Sequence, residues 1–232
     1  MKSFLRLSFM AIALTLFFNA FAVTETKAQG VLNEVLKRME INRQSLQTLR
    51  ANISMAKYNA QLGENDLTQG TVVYMPGKKE REMYIRIDWI KPVQEQLAVV
   101  KDAYTIYRPR LGQVIIGKID KAQGSARANG ALSFLNMSKE QLKANYTVKY
   151  LGREKVSSGD ETVHLQLTPK NVNSYKSAEL WVDKDGMPVQ AKVIESNDDT
   201  TTILLSYLKK NTTINASDFT IKYPKNIKPT RV

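Results

Sequence analysis

The chain has 232 residues, with 34 lysine and arginine residues against 22 aspartate and glutamate residues, and 43% of its residues are hydrophobic. It contains no cysteine and a single histidine, His164. Disulfides, thiolate metal sites and cysteine nucleophiles are therefore excluded. A His-rich metal cluster is excluded too, and only one residue is left for a histidine-based catalytic triad.

The first 22 residues have the features of a secretory signal peptide. A positively charged start precedes an apolar run over residues 7–18, and Ala20 and Ala22 provide small residues for a signal peptidase. This pattern predicts cleavage after Ala22, with Ala28 as a second candidate. The apolar run is shorter than the roughly 20 residues that a transmembrane helix needs. We therefore expect export to the periplasm, without a membrane anchor.

The mature chain, residues 23–232, is strongly basic. Removal of the leader takes away Lys2 and Arg6 and no acidic residue, which leaves a net charge of +10. An exported protein is not expected to meet nucleic acid, so anionic lipid head groups or acidic proteins are the partners that this charge favours. The alternative is that the charge serves only to keep the protein soluble.

The mature chain begins with a helical pattern and continues with strand patterns. Apolar residues recur at helical spacing over residues 31–41, which predicts an amphipathic helix. After Leu49 the period changes to two, most clearly where Met83, Ile85, Ile87 and Trp89 alternate with polar residues. Further strands are predicted at 97–101, 103–107, 114–119, 146–151, 163–167, 178–182, 189–194 and 201–208.

A helical insert interrupts the strands. Residues 122–130 are small and glycine-containing, a short helix is predicted at 131–136, and Ser138 with Gln141 three residues later predicts a capping box at the start of a second helix. Asp185-Gly186 predicts a hairpin turn. We find no repeat or linker that would divide the mature chain, so we expect one domain.

These elements predict a mainly β (α+β) fold. One face of the sheet is apolar, and only the N-terminal helix and the insert are available to cover it. We therefore expect a single strongly curved antiparallel sheet that forms an open half-barrel, lidded by the N-terminal helix and the short helical insert.

The sequence contains no convincing catalytic or cofactor motif. Residues 112–118 read GQVIIGK, but Ile119 stands where a phosphate-binding loop requires serine or threonine. His164 alternates with Val163 and Leu165 and is predicted to lie on the polar face. We therefore expect a non-enzymatic protein that needs no metal and no cofactor.

The apolar face is the remaining candidate for function. We predict that it lines a lipid-binding cavity under a movable lid, although an ordinary packed core is the alternative. The predicted lining consists of Met55, Met75, Met83, Ile85, Ile87, Trp89, Leu97, Val99, Leu132, Leu135, Leu180, Val182, Val193 and Leu205.

Two stretches contain short motifs whose order along the chain resembles that of a known family. Trp89 and Pro92 precede LAVVKDAYTIYRPRLGQV, and a strand, the turn Asp183-x-x-Gly186 and two further strands lead to the terminal motif DFTIKYP at 218–224. This order resembles the LolA family of periplasmic lipoprotein carriers, over nearly all of the mature chain.

The resemblance implies a half-barrel that shields the acyl chains of lipoproteins between the inner and the outer membrane. It also implies an inner-membrane ABC exporter as donor and an outer-membrane acceptor as recipient. We expect a monomer that binds acylated lipoproteins or lipids and touches a membrane surface only transiently.

The family also has an arginine on the third strand that latches the lid, and Arg81 and Arg86 both lie near that position. We favour Arg81, because Arg86 alternates with the apolar face. Two other functions compete with a carrier: a lipid-sensing or lipoprotein-sensing regulatory module of the same fold, and a non-transport structural domain.

Overall fold

The computed structural model describes residues 28–77, 82–118, 134, 137–171 and 175–232. Twelve strands form one sheet: β1 (Leu49–Asn59), β2 (Glu64–Pro76), β3 (Met83–Lys91), β4 (Glu95–Lys101), β5 (Ala103–Arg108), β6 (Gln113–Lys118), β7 (Tyr146–Lys155), β8 (Glu161–Pro169), β9 (Tyr175–Val182), β10 (Pro188–Glu195), β11 (Thr200–Lys210) and β12 (Thr230–Arg231). Helix α1 spans residues 28–45 and helix α2 spans Lys139–Asn145.

The sheet consists of two antiparallel meanders joined in the middle. Its strand order is β12-β6-β5-β4-β3-β2-β1-β11-β10-β9-β8-β7, with β1 pairing to β11 at the junction. Of the strands that the structure describes, only β12 is parallel to its neighbour, β6. The order ends in β12 on one side and β7 on the other, so the twelve described strands form a curled sheet that is not closed. The predicted open half-barrel is confirmed.

The alternation in β3 shows why the sheet has one apolar face. Ile85, Ile87 and Trp89 are 0–7% exposed, whereas the residues between them are more exposed and lie on the other side. Side chains of a strand point to opposite faces in turn, so one apolar face is buried and one polar face is outside. We call these the concave face and the outer face.

The predicted elements are confirmed wherever the structure describes them. The N-terminal helix is longer than its apolar pattern, and Ser138 forms the predicted capping box, because its hydroxyl accepts the Gln141 N–H while the Gln141 side chain accepts the Ser138 N–H. The break at 122–130 and the first insert helix at 131–136 lie outside the described residues, apart from Phe134.

The C-terminal segment, residues 212–232, packs on the outer face of β3–β6. The Phe219 ring lies 5.7 Å from that of Tyr84, and the Arg86 guanidinium donates to the Thr220 carbonyl at 2.8 Å. The chain then reaches the sheet edge, where β12 pairs with β6. Arg86 lies away from the apolar face, as its alternation predicts. The expectation that it points to solvent is wrong, because the C-terminal segment covers its side chain, which is only 12% exposed.

Candidate functional site

The concave face is one continuous apolar surface that extends across the sheet. Side chains from β1 to β5 and from β8 to β11 belong to a single buried cluster. Cross-strand partners align on this face, for example Tyr74 with Ile85 and Ile53 with Leu205. An apolar surface of this extent offers non-directional contact, which suits flexible hydrocarbon ligands.

Most of the predicted lining residues meet on this face. The buried members are Met55, Ile85, Ile87, Trp89, Leu97, Val99, Leu180, Val182 and Leu205, while Met83 and Val193 are partly buried and pack against them. Leu132, Leu135 and the predicted latch Arg81 lie outside the described residues and stay predictions. Lipid binding by the lining residues likewise stays a prediction.

Met75 was assigned to the wrong face. It pairs with Tyr84 on the outer face, whereas its neighbour Tyr74 pairs with Ile85 on the concave face. The run from Val72 to Met75 is apolar at every position, so alternation could not decide which residues point inward. The register of β2 against β3 settles the question in favour of Val72 and Tyr74.

Several residues of the concave face were not predicted from the sequence. Ile53, Val72, Tyr74, Tyr104 and Ile106 are all at most 6% exposed and belong to the same cluster. The sequence of β1 does contain a pattern that predicts its buried face. Apolar residues alternate with polar or small ones at Leu49, Ala51, Ile53 and Met55.

Helix α1 covers the concave face. Leu32, Val35, Leu36 and Met39 are 0–7% exposed and belong to the same buried cluster as the sheet residues. Phe134 and Leu142 of the insert belong to the same cluster, on the side of the sheet formed by β7 to β11. Among the described residues, the concave face is therefore packed against the lid elements and is not an open cavity.

Polar contacts fix α1 at the turn between β9 and β10. The Arg38 guanidinium donates to the Lys184 carbonyl at 2.9 Å, and the Asn42 side chain contacts Met187 and accepts from Lys210. Gly186 has a φ of +84°, and its Cα faces the α1 backbone so closely that a Cβ would lie 2.3 Å from the Arg38 carbonyl carbon. The backbone of the turn is thus in direct contact with the backbone of α1.

A second tie joins α1 to α2. The Glu40 carboxylate accepts from the Arg43 guanidinium at 2.6 Å and from the backbone N–H of Lys139 at 3.1 Å, at the start of α2. The hydrogen bond from Arg43 lowers the pKa of Glu40 from 4.5 to about 2. Behind this pair, burial raises the pKa of Tyr74 to about 12. One ionised carboxylate thus links the two lid elements.

The Glu40 tie should weaken in acid. Because the folded pKa of Glu40 is depressed, its contribution to stability is complete above about pH 5 and is lost as the pH falls from 4.5 towards 2. We expect Glu40→Gln to lower the melting midpoint by a few degrees at pH 7, and this difference to shrink steadily below pH 4.5.

Glu34→Gln is the matched control for this measurement. Glu34 lies on the same helix, its side chain is 69% exposed, and its contact with Arg38 is 3.8 Å long. Exposed pairs of this kind contribute little. A midpoint difference for Glu40→Gln that stays constant between pH 7 and pH 2.5 would contradict the assignment.

The outer face has polar features of a different kind. His164 stacks on Trp181 with ring centroids 4.2 Å apart, and its ring nitrogens lie 3.1 Å from Glu154 and 3.3 Å from Glu179. A cleft of about 1120 Å³ on this side is lined by Asn52, Ser54, Gln69, Thr71 and Ser206 together with charged residues. Ile90, Leu204, Tyr207 and Leu208 also line it, so its lining is mixed, unlike the continuous apolar surface of the concave face.

A family comparison identifies the fold. The family model described as "Outer membrane lipoprotein carrier protein LolA" matches residues 33–222. The chain belongs to the LolA family. The matched range begins within α1, includes every strand except β12, and ends in the C-terminal segment, so the covered concave face is the part of the chain that the family shares.

Solved structures show the same fold at low identity. An uncharacterized conserved protein from Thermus thermophilus is 14% identical, with a TM-score of 0.54 over 87% of this chain and 99% of that chain. MucB is 13% identical, with a TM-score of 0.53 over 82% of this chain and 62% of MucB. Comparison with curated protein sequences gives no significant match.

Two further findings concern the described residues. No helix among them is both long and apolar enough to cross a membrane. No group of three or more histidine and acidic side chains in the described part of the chain is placed to hold a metal ion.

Proposed function

We propose that the protein is a periplasmic carrier of acylated lipoproteins, which it takes from the inner membrane and delivers to the outer membrane. The acyl chains lie on the concave face, in the place that α1 occupies in this structure. The observation that carries the proposal is the continuous apolar face under a lid helix whose polar contacts to the sheet and to α2 come from residues 38–42, within a chain of the LolA family.

Energetics favour exchange of the helix for lipid. Four buried side chains of α1 contribute on the order of 10 kcal/mol of apolar burial, at about 1.5–3 kcal/mol each. Three acyl chains exposed to water cost on the order of 30 kcal/mol, at about 0.8 kcal/mol per CH₂. Acyl chains that have left the membrane can therefore displace α1 from the concave face, and α1 can return when they pass to an acceptor.

The lining also suits release. The concave-face residues that we predicted are aliphatic, aromatic or methionine side chains, and methionine adapts its shape to varied ligands. Such a surface holds cargo without fixed polar anchors, so an acceptor with a better apolar site can withdraw it. An inner-membrane ABC exporter and an outer-membrane acceptor are the partners that the family suggests.

A release assay tests this function. Inner-membrane vesicles that contain the exporter and a labelled triacylated lipoprotein are incubated with the mature chain, and the soluble fraction is analysed. We expect ATP-dependent appearance of a one-to-one soluble complex. The control cargo is the same lipoprotein with its acylated cysteine replaced by serine, which should not be carried. Equal release of both cargoes, or of neither, would contradict the proposal.

A regulatory role is the second candidate, because MucB shares the fold with a TM-score of 0.53. MucB has been solved in complex with MucA, and a sensing module of this type would bind a protein partner in a way that depends on lipid. A second step separates the two roles: the soluble complex is incubated with outer-membrane vesicles, to which a carrier delivers the lipoprotein and a sensor does not.

A further inference from the structure

Two neighbouring hairpin turns at one end of the sheet expose aliphatic side chains. Ile90 lies near the end of β3 and Val93 in the turn that follows, and they are 54% and 48% exposed. Leu111 in the turn between β5 and β6 is 71% exposed. The pairs Trp89 with Glu95 and Gln96 with Tyr107 place these turns side by side. Three large apolar side chains therefore project from adjacent tips.

Exposed cations lie beside these aliphatic side chains. Lys91 is the last residue of β3, next to the first turn, and Arg110 lies in the second turn. The acidic residue next to them, Glu95, already pairs with Arg108 at 2.6 Å. The turns themselves thus carry an excess of positive charge.

The C-terminal segment adds to this charge. Tyr223 packs against Tyr107, 6.1 Å between ring centroids, and Thr230 pairs with Ile115 in the parallel β12–β6 ladder. The intervening residues therefore lie beside the start of β6, next to the second turn. Lys225 and Lys228 are exposed there, and no acidic residue occurs in the sequence from 219 to 232.

We infer that these turns bind the surface of a membrane that contains anionic lipids. We call the surface the turn patch, and it comprises Ile90, Lys91, Val93, Arg110, Leu111, Lys225 and Lys228. Aliphatic side chains that project from separate tips can enter the head-group region individually, while the cations beside them meet lipid phosphates. The net charge of the mature chain has the sign that such a surface attracts.

The inference goes beyond the proposed function, and it can be tested on cargo-free protein. The turn patch lies at the strand ends and not on the concave face, so acyl-chain binding and surface binding involve different residues. Loss of one without the other therefore distinguishes failure of this inference from failure of the carrier proposal.

Cosedimentation with vesicles tests the turn patch. The mature chain is mixed with phosphatidylcholine vesicles, with and without phosphatidylglycerol, and the bound fraction is measured. We expect binding only when phosphatidylglycerol is present. Arg110→Glu/Lys225→Glu/Lys228→Glu should weaken it at least about tenfold.

A second variant tests the aliphatic contribution and a third controls for net charge. Val93→Ser/Leu111→Ser removes apolar tips without changing charge and should also lower the bound fraction several-fold. Lys149→Glu/Arg153→Glu/Lys209→Glu makes the same charge change at exposed positions on β7 and β11, and should retain most of the binding. Circular dichroism confirms that each variant is folded.

Three outcomes would overturn the inference. The first is absence of binding to anionic vesicles. The second is equal loss in the control charge variant, which would mean that net charge alone drives adsorption. The third is unchanged binding by Val93→Ser/Leu111→Ser, which would show that no side chain enters the head-group region.

Discussion

Replacement of Ile87 by aspartate should leave the mature chain largely unfolded, whereas the same replacement at Ile90 should leave it folded. Ile87 is 0% exposed at the centre of the concave face, where it pairs with Val72 and Leu97. The change removes a large apolar side chain and places a carboxylate among the apolar side chains of the buried cluster. We expect a cost of at least about 5 kcal/mol, a large part of the roughly 5–15 kcal/mol that stabilises a typical domain.

Ile90 is the matched control because it lies three residues further along the same strand and is 54% exposed. Its replacement by aspartate removes little buried surface and leaves the new charge in water. Thermal melts followed by circular dichroism compare the two variants. A cooperative melt of Ile87→Asp within a few degrees of the parent would show that the concave face tolerates charge and is not the packed centre of the fold.

Gly186→Ala should loosen helix α1 and expose the concave face. The added Cβ would lie 2.3 Å from the carbonyl carbon and oxygen of Arg38, a distance that real Cβ contacts do not reach. The backbone of α1 is the contacting group, so it must move away from the turn. The φ of +84° adds about 1–2 kcal/mol of strain for any residue with a Cβ. We expect a lower melting midpoint and several-fold stronger binding of an environment-sensitive apolar dye.

Gly159→Ala isolates the contact with α1 from the strain. Gly159 has a φ of +92° in the turn between β7 and β8, and nothing lies within 4 Å of the position of its Cβ. Its replacement should lower stability through strain alone and leave dye binding at the parent level. Equal dye binding by the two variants would show that the Gly186 turn does not hold the lid in place.

The same two variants also test how α1 controls the uptake of cargo. If α1 leaves the concave face before acyl chains enter, then loosening it should speed the uptake of cargo and slow its release to an acceptor. Gly186→Ala should therefore form the lipoprotein complex faster than the parent, while Gly159→Ala should not. Uptake rates measured by fluorescence of a labelled acyl probe give this comparison directly.

Local patterns allowed much of the fold to be predicted. The alternation in β3, the Asp185-Gly186 turn and the Ser138 capping box each depend on residues close together in sequence, and all three are confirmed. The open half-barrel was predicted from the same elements, because only the N-terminal helix and the insert are available to cover the apolar face of the sheet. The family resemblance implies the same arrangement. Strand bounds were less accurate, because polar strand ends such as Lys209 and Lys210 carry no apolar signal.

Features that depend on contacts between distant parts of the chain were not predicted. We predicted that Met75 lies on the concave face. The residues from Val72 to Met75 are all apolar, so alternation could not assign their faces, and only the β2–β3 register shows that Met75 lies on the outer face. The Glu40 tie joins residues 99 positions apart, and the approach of Gly186 to Arg38 joins residues 148 positions apart. No local pattern contains such information.

The Arg86 contact illustrates the same limit. Its alternation correctly placed the side chain on the outer face, but its partner, the Thr220 carbonyl, lies 134 positions away in the C-terminal segment. The packing of that segment over β3–β6 is therefore visible only in the structure. It also brings Lys225 and Lys228 to the turn patch, which the sequence order alone would not suggest.

Native mass spectrometry tests the central claim that acyl chains replace α1 on the concave face. The mature chain is purified from a bacterial periplasm without detergent and offered a triacylated lipoprotein from membranes. We predict a one-to-one complex, formed faster by Gly186→Ala than by Gly159→Ala and not formed with the unacylated lipoprotein. A chain that stays free of lipid and lipoprotein under all these conditions would contradict the account and indicate that the concave face is a permanent core.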